Sequence, residues 1–132
     1  MSSQANTKIL LVEDDQLLVR LYKKKLTKEG FAVVVARDGS DGLVKAKNDP
    51  PDMILLDLMM PKTNGFEMLA ALQSSPQLKN IPVMVLTNVS AETDEQRARG
   101  LGATDYLVKA DNPPDMVVER IKELLEQGES PE

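Results

Sequence analysis

The sequence predicts an α/β fold, on three observations. Five short runs of aliphatic and β-branched residues recur along the 132-residue chain. Each is followed by a longer segment whose apolar residues return every three or four positions. Glycine or proline stands at the joints between segments.

The expected strands are residues 8–12 (KILLV), 31–36 (FAVVVA), 52–57 (DMILLD), 81–87 (IPVMVLT) and 104–108 (TDYLV). After the first strand, Leu18, Leu21, Tyr22 and Leu26 carry a helical period. Leu43 and Ala46 carry it after the second, and Met68, Leu69 and Leu72 after the third. Val117, Ile121, Leu124 and Leu125 carry it in the last helix, which the NPPD segment (112–115) opens with proline in its first turn. The fourth helix, residues 91–102, is charged over most of its length, with Ala91, Ala98 and Leu101 its plainly apolar positions. That composition suits a short solvated helix covering a sheet edge, or a loosely held element that faces a partner. Gly30, Gly65 and Gly102 punctuate the joints.

Five βα units imply a parallel sheet with helices on both faces, a (βα)5 three-layer sandwich, because crossovers are right-handed. Continuous apolar runs suit strands buried on both sides. The flavodoxin-like strand order 2-1-3-4-5 is the leading expectation, with residues 8–127 as the domain and residues 1–7 and 128–132 as polar tails.

Composition narrows function. Hydrophobic residues make up 42% of the chain and aromatic residues 3%, so the core must be aliphatic. A net charge of −5 without a long basic run argues against nucleic acid or an anionic membrane as partner. The chain has no cysteine and no histidine, which removes disulfides, thiolate chemistry and the commonest general base. The polar start MSSQANTK lacks a signal-peptide core, and no apolar run reaches membrane-spanning length, so a cytoplasmic protein is expected.

In the expected topology, ligands sit beyond the carboxyl ends of the strands, near the switch between strands 1 and 3. That rule gathers Glu13, Asp14 and Asp15 after strand 1, Asp57 at the end of strand 3, Thr87 and Asn88 at the end of strand 4, and Lys109 after strand 5. Crowded carboxylates repel one another unless a cation intervenes. Lys109 supplies one charge, and a hard divalent ion suits the oxygen ligands, with Mg2+ the best fit. Each residue also has a plainer reading. Asp14 or Asp15 suits the N-cap of the first helix, Thr87, Asn88 and Ser90 suit caps of the fourth, Asp57 suits a turn and Lys109 a solvated loop.

The motifs ILLVEDD, DLMMPKTNG, VLTN and DYLVK, in that order and over residues 8–125, resemble the receiver domain of two-component response regulators, of the stand-alone type related to chemotaxis regulators. The resemblance implies a phosphoacceptor signalling domain and not a turnover enzyme. It implies Asp57 as phosphoacceptor, Glu13, Asp14, Asp57 and the Met59 carbonyl around Mg2+, and Thr87 and Lys109 at the phosphoryl group. Asp15 falls just outside the acidic pair. Tyr106 is implied as a switch aromatic that turns inward on activation, with Pro61 and Gly65 shaping the loop after Asp57. Asn64–Gly65 is also a turn pair that tolerates positive φ. A sensor histidine kinase or histidine phosphotransfer protein is the implied donor, with a downstream protein target at the face of helix 4, strand 5 and helix 5. The chain is expected to be a monomer or a phosphorylation-dependent dimer, and its length fits a receiver with no attached DNA-binding domain.

Three places depart from or test the family pattern. Asn88 replaces a very small residue and is expected to crowd the phosphoryl entrance. Ala110 replaces a proline on a cis bond, so a trans bond is expected, a non-proline cis bond costing roughly 2.5–4 kcal/mol. Met59 and Val89 are apolar two residues past Asp57 and Thr87, so neither orients a hydrolytic water. Competing readings are a receiver-like binding module that is not phosphorylated, a haloacid-dehalogenase-type phosphatase and a flavodoxin. Against the phosphatase, Met59 stands where an acid is needed. Against flavin, the first βα loop is acidic and repels phosphate.

Overall fold

The computed structural model describes residues 7–60 and 64–128. Strands β1 (Lys8–Val12), β2 (Ala32–Ala36), β3 (Met53–Leu56), β4 (Val83–Thr87) and β5 (Asp105–Val108) alternate with helices α1 (Gln16–Lys28), α2 (Gly39–Asn48), α3 (Gly65–Gln73), α4 (Glu92–Gly100) and α5 (Pro114–Gly128). The strands form one parallel sheet in the order β2-β1-β3-β4-β5, as expected. Most residues of the two expected tails, and Pro61, lie outside the described residues.

Alternation along each strand divides the core. Leu10, Val12, Ile54, Leu56, Val83 and Val85 face Ala46, Met68, Leu69, Leu72 and Ala98 of α2, α3 and α4. Ile9, Leu11, Met53, Leu55, Met84 and Leu86 face Tyr22, Leu26, Val117, Ile121 and Leu124 of α1 and α5. The central strands are buried on both sides, whereas β2 at the edge is half-buried through its middle. β4 starts two residues later than expected because Pro82 has no N–H for the ladder, and its carbonyl accepts from Ile54 N at 3.0 Å.

The helix starts assign most of the polar punctuation. Asp15 caps α1, accepting from Leu17 N at 2.9 Å and Leu18 N at 3.3 Å. Asp38 caps α2 and Asn64 caps α3 in the same way. Three expectations need correction. Leu21 is not on the inward stripe of α1: Val19, Tyr22 and Leu26 are buried, whereas Leu21 is exposed. No side chain caps α4, whose N-cap is Ala91, so Thr87, Asn88 and Ser90 do not serve there. Positive φ occurs at Gly30 and Gly102 but not at Gly65, which instead begins α3 pressed against the chain that follows β3.

α4 buries only Ala98 in the core. It is also held by Arg97 over the Phe66 ring, 4.1 Å from its centroid, and by Arg99, which reaches Asp105 on β5 at 3.4 Å.

Candidate functional site

The sheet register builds the site. Val12 pairs with Leu56 across β1 and β3, so Glu13 and Asp57 leave adjacent strands at the same level. Asp57 N donates to Val12 O at 3.1 Å, and Glu13 N donates to Ala36 O at 3.0 Å, which fixes both exits. Thr87 pairs with Val108 across β4 and β5, which sets Lys109 at that level too. Lys109 opens a short 3-10 turn (Lys109–Asp111), and no cis peptide bond occurs among the described residues, so the bond before Ala110 is trans as expected.

The side chains converge. Lys109 Nζ donates to Glu13 Oε1 at 3.0 Å and to Asp57 Oδ2 at 3.1 Å. The other Asp57 oxygen, Oδ1, accepts from Met59 N at 3.1 Å, and Glu13 Oε2 accepts from Asp15 N at 3.1 Å. Glu13, Asp57 and Thr87 are buried, while Asp14 is exposed at the rim. Glu13, Asp14 and Asp57 each offer a carboxylate oxygen, and these lie within 4.8 Å of one another. Thr87 Oγ1 accepts from Val89 N at 3.3 Å and makes no link to α4's first turn.

Electrostatics follow from burial and crowding. Burial, then the neighbouring Asp57 charge, pushes the Glu13 carboxyl up to about 7, against the pull of Lys109 and the Asp15 N–H. Burial alone lowers an ammonium, but at Lys109 the Glu13 hydrogen bond and the Asp57 and Glu13 charges outweigh it and hold its pKa above the ordinary value. Three close carboxylates and one lysine leave net negative charge in a partly dry pocket. That donor set, all oxygen and anionic, suits a hard divalent cation.

Tyr106 is buried, and its hydroxyl donates to the Val89 carbonyl at 2.6 Å. Burial, then the charges of Asp94, Glu95 and Asp57, raises its phenol pKa. The inward tyrosine thus joins β5 to Val89 of the β4–α4 loop, two residues past Thr87 at the end of β4. Met59 is exposed at the rim, as is Asn88.

The family model for the response regulator receiver domain matches residues 9–122. The chain belongs to that family. The receiver is 44% identical over 121 residues to the transcriptional regulatory protein CpxR of Escherichia coli K12, covering 92% of this chain and 50% of CpxR. It resembles the crystal structure of the phosphorylated cyanobacterial phytochrome response regulator RcpA, with TM-score 0.77 and 34% identity over 90% of this chain and 91% of that one. It also resembles the Mn2+-bound response regulator Rcp1, with TM-score 0.75 and 36% identity over 84% of this chain and 86% of that one. The receiver spans about half the length of the curated relatives it matches. Length therefore does not decide whether a receiver stands alone, since chains twice as long carry the same unit. No helix among the described residues is long and apolar enough to cross a membrane.

Two features of the receiver were not read from the sequence. The Val89 carbonyl that accepts from Tyr106 is backbone and leaves no sequence signal. Asp105 does leave one, an acid inside an apolar strand, the same signal that marks Asp57. It is buried on β5 and answered by fixed partners: Arg120 Nε, Arg99 and the Tyr106 N–H. Burial alone raises a carboxyl pKa, but those partners hold Asp105 below its ordinary value.

Proposed function

We propose that the receiver accepts a phosphoryl group on Asp57 from a partner's phosphohistidine and uses it to switch the face of α4, β5 and α5 for a downstream protein. The observation that carries this reading is the Lys109 ammonium held 3.1 Å from one oxygen of a buried Asp57 and 3.0 Å from Glu13. An Asp57 oxygen forms the new bond to phosphorus as the bond to the donor nitrogen breaks, and the imidazole leaves with that electron pair. Lys109 neutralises charge on the transferring group, and Thr87 offers a hydroxyl to its oxygens. Glu13, Asp14, Asp57 and the Met59 carbonyl would hold Mg2+, which supplies charge neutralisation at the phosphoryl oxygens when bound. The phosphoryl adds close to two negative charges, a new acceptor for Thr87 and Lys109. Thr87 is tied through Val89 to Tyr106, which gives the switch a route to the output face.

The reading implies a cytoplasmic phosphoacceptor with no hydrolytic turnover of its own, a protein output in place of nucleic acid or membrane, and a monomer or phosphorylation-dependent dimer. Incubation with acetyl phosphate tests it: one phosphoryl group per chain, dependent on Mg2+, is expected. Labelling that is indifferent to Mg2+, or phosphate release faster than the decay of the labelled chain itself, contradicts it.

Two further results are expected. Glu13 takes up a proton as pH falls through about 7, and a protonated carboxyl is a poor ligand. Mg2+ affinity should therefore weaken between pH 8 and pH 6, with the fall blunted in Glu13→Gln, as isothermal titration reads directly. Second, apolar Met59 and Val89 leave no side chain to orient a water, so the phosphorylated receiver should decay over minutes or longer. Loss of label within a few seconds contradicts this.

A further inference from the structure

β5 is an edge strand of the sheet, and the chain turns at its end to place Lys109. The Tyr106 N–H is taken by the Asp105 carboxylate at 2.8 Å, so Tyr106 turns its backbone to the open edge. Alternation along the strand puts Val108 on the same side. The Val108 carbonyl therefore points away from β4, where no strand answers it, and a carbonyl left without a partner is costly. This carbonyl belongs to the peptide unit whose nitrogen is that of Lys109. Its direction sets where the Lys109 side chain starts.

The 3-10 turn over Lys109–Asp111 does little to hold itself. Its peptide bonds are trans and it contains no proline. Ala110 and Asp111 are exposed, and Asp111 makes no side-chain hydrogen bond or ion pair among the described residues. The backbone bond that closes the turn, from Asn112 N to Lys109 O, is long at 3.4 Å.

Asn112 supplies the missing partner. Its side-chain Nδ2 donates to Val108 O at 2.9 Å. The group that meets a carbonyl must be the amide NH2, since the amide oxygen only accepts. Asn112 is itself anchored from the other side. Pro113 and Pro114 follow it, and the Pro113 carbonyl accepts from Met116 N at 2.9 Å and Val117 N at 3.1 Å. Val117 is buried in the core. The amide thus reaches from the anchored start of α5 back to the last residue of β5.

We propose that Asn112 is a positioning residue for phosphoryl transfer, its amide holding the Val108–Lys109 peptide so that the Lys109 ammonium meets Glu13 and Asp57. The inference rests on Asp57 being the phosphoacceptor. A lysine stem is flexible, so fixing its base removes freedom that the contacts at 3.0 and 3.1 Å would otherwise have to restrain. A misplacement of about 1 Å at such a group costs up to about 100-fold in rate.

The test compares wild type, Asn112→Ala and Asn112→Asp, with Asp111→Ala as control, each as the full chain. Asn112→Asp keeps the shape and turns the donor into an acceptor facing a carbonyl, so it should be the more damaged. Labelling by acetyl phosphate with Mg2+ should slow by roughly ten-fold in Asn112→Asp, and by less in Asn112→Ala. Reductive methylation, read lysine by lysine on peptides, reports Lys109 directly. Lys109 should react roughly five-fold faster in the Asn112 variants, the weight of one neutral hydrogen bond, with Lys79 unchanged. Asp111→Ala should match wild type in both measurements. Equal Lys109 methylation in wild type and both Asn112 variants overturns the inference even where labelling slows, since the loss then belongs to the loop at large. Labelling of Asn112→Asp at the wild-type rate overturns it too. Failure of acetyl phosphate to label the wild type would instead reject Asp57 as acceptor, and methylation would still decide whether Asn112 holds Lys109.

Discussion

Replacing Lys109 with methionine should destabilise the metal-free receiver by about 3–5 kcal/mol near pH 8, since breaking a buried ion pair leaves an uncompensated charge. The cause is local. Lys109 Nζ is shared by Glu13 and Asp57, both buried, and no other cation contacts either of them among the described residues. The effect depends on pH, and its sign follows from Glu13. The folded protein binds the Glu13 proton more tightly than the unfolded chain does, at about 7 against an ordinary 4.5. Glu13 therefore costs the folded state nothing below about pH 4.5, and its cost grows as pH rises to about 7, by roughly 3 kcal/mol at most. Removing Lys109 removes a group that lowers the Glu13 value, so the window extends upward. The variant should be close to wild type at pH 5 and far less stable at pH 8, with Mg2+ restoring part of the loss. Urea midpoints at the two pH values measure this, and an equal cost at both contradicts the shared-cation account.

The second large effect is expected at Gly65. A Cβ there would lie 2.6 Å from Leu58 Cα, 2.8 Å from Leu58 Cδ2 and 2.9 Å from the Asp57 carbonyl oxygen. The closest of these is backbone, so no change of rotamer relieves the contact. Gly65 N also donates to Leu58 O at 2.9 Å, tying the first residue of α3 to the chain just past Asp57. Gly65→Ala must push α3 away from the end of β3 and move the residues that position Asp57 and Met59. Overpacking of this kind costs about 1–3 kcal/mol, and phosphorylation by acetyl phosphate should slow as well. Gly100→Ala is the control, because nothing lies within 4 Å of the added atom. Thermal denaturation that finds the two variants alike would refute the close-packing role of Gly65.

The strand order and the helix faces were legible because both depend on period. Apolar runs bounded by glycine and proline fix five βα units, and the right-handed crossover leaves few ways to arrange them. The site was legible because topology, and not local sequence, brings Glu13, Asp57, Thr87 and Lys109 to one edge. Leu21 was misplaced because its spacing from Leu18 and Tyr22 suits the inward stripe, yet Val19 fills that place and Leu21 is left exposed. Gly65 was read as a turn glycine because Asn-Gly is a turn pair. In the fold Asn64 is a cap and Gly65 is needed for a close approach that only packing reveals. Asp105 shows that an acid in an apolar strand is not by itself a reactive site. Asp57 differs in sharing its cation with Glu13 and in standing beside a third carboxylate at the ligand-binding edge.

Borohydride trapping tests the central claim most directly. After treatment with acetyl phosphate and Mg2+, reduction of an aspartyl phosphate converts that residue to homoserine, which peptide mass mapping locates. The account predicts homoserine at position 57 in the wild type and at no position in Asp57→Asn. Absence of homoserine from the phosphodonor-treated wild type, or its appearance at any other carboxylate, would contradict it.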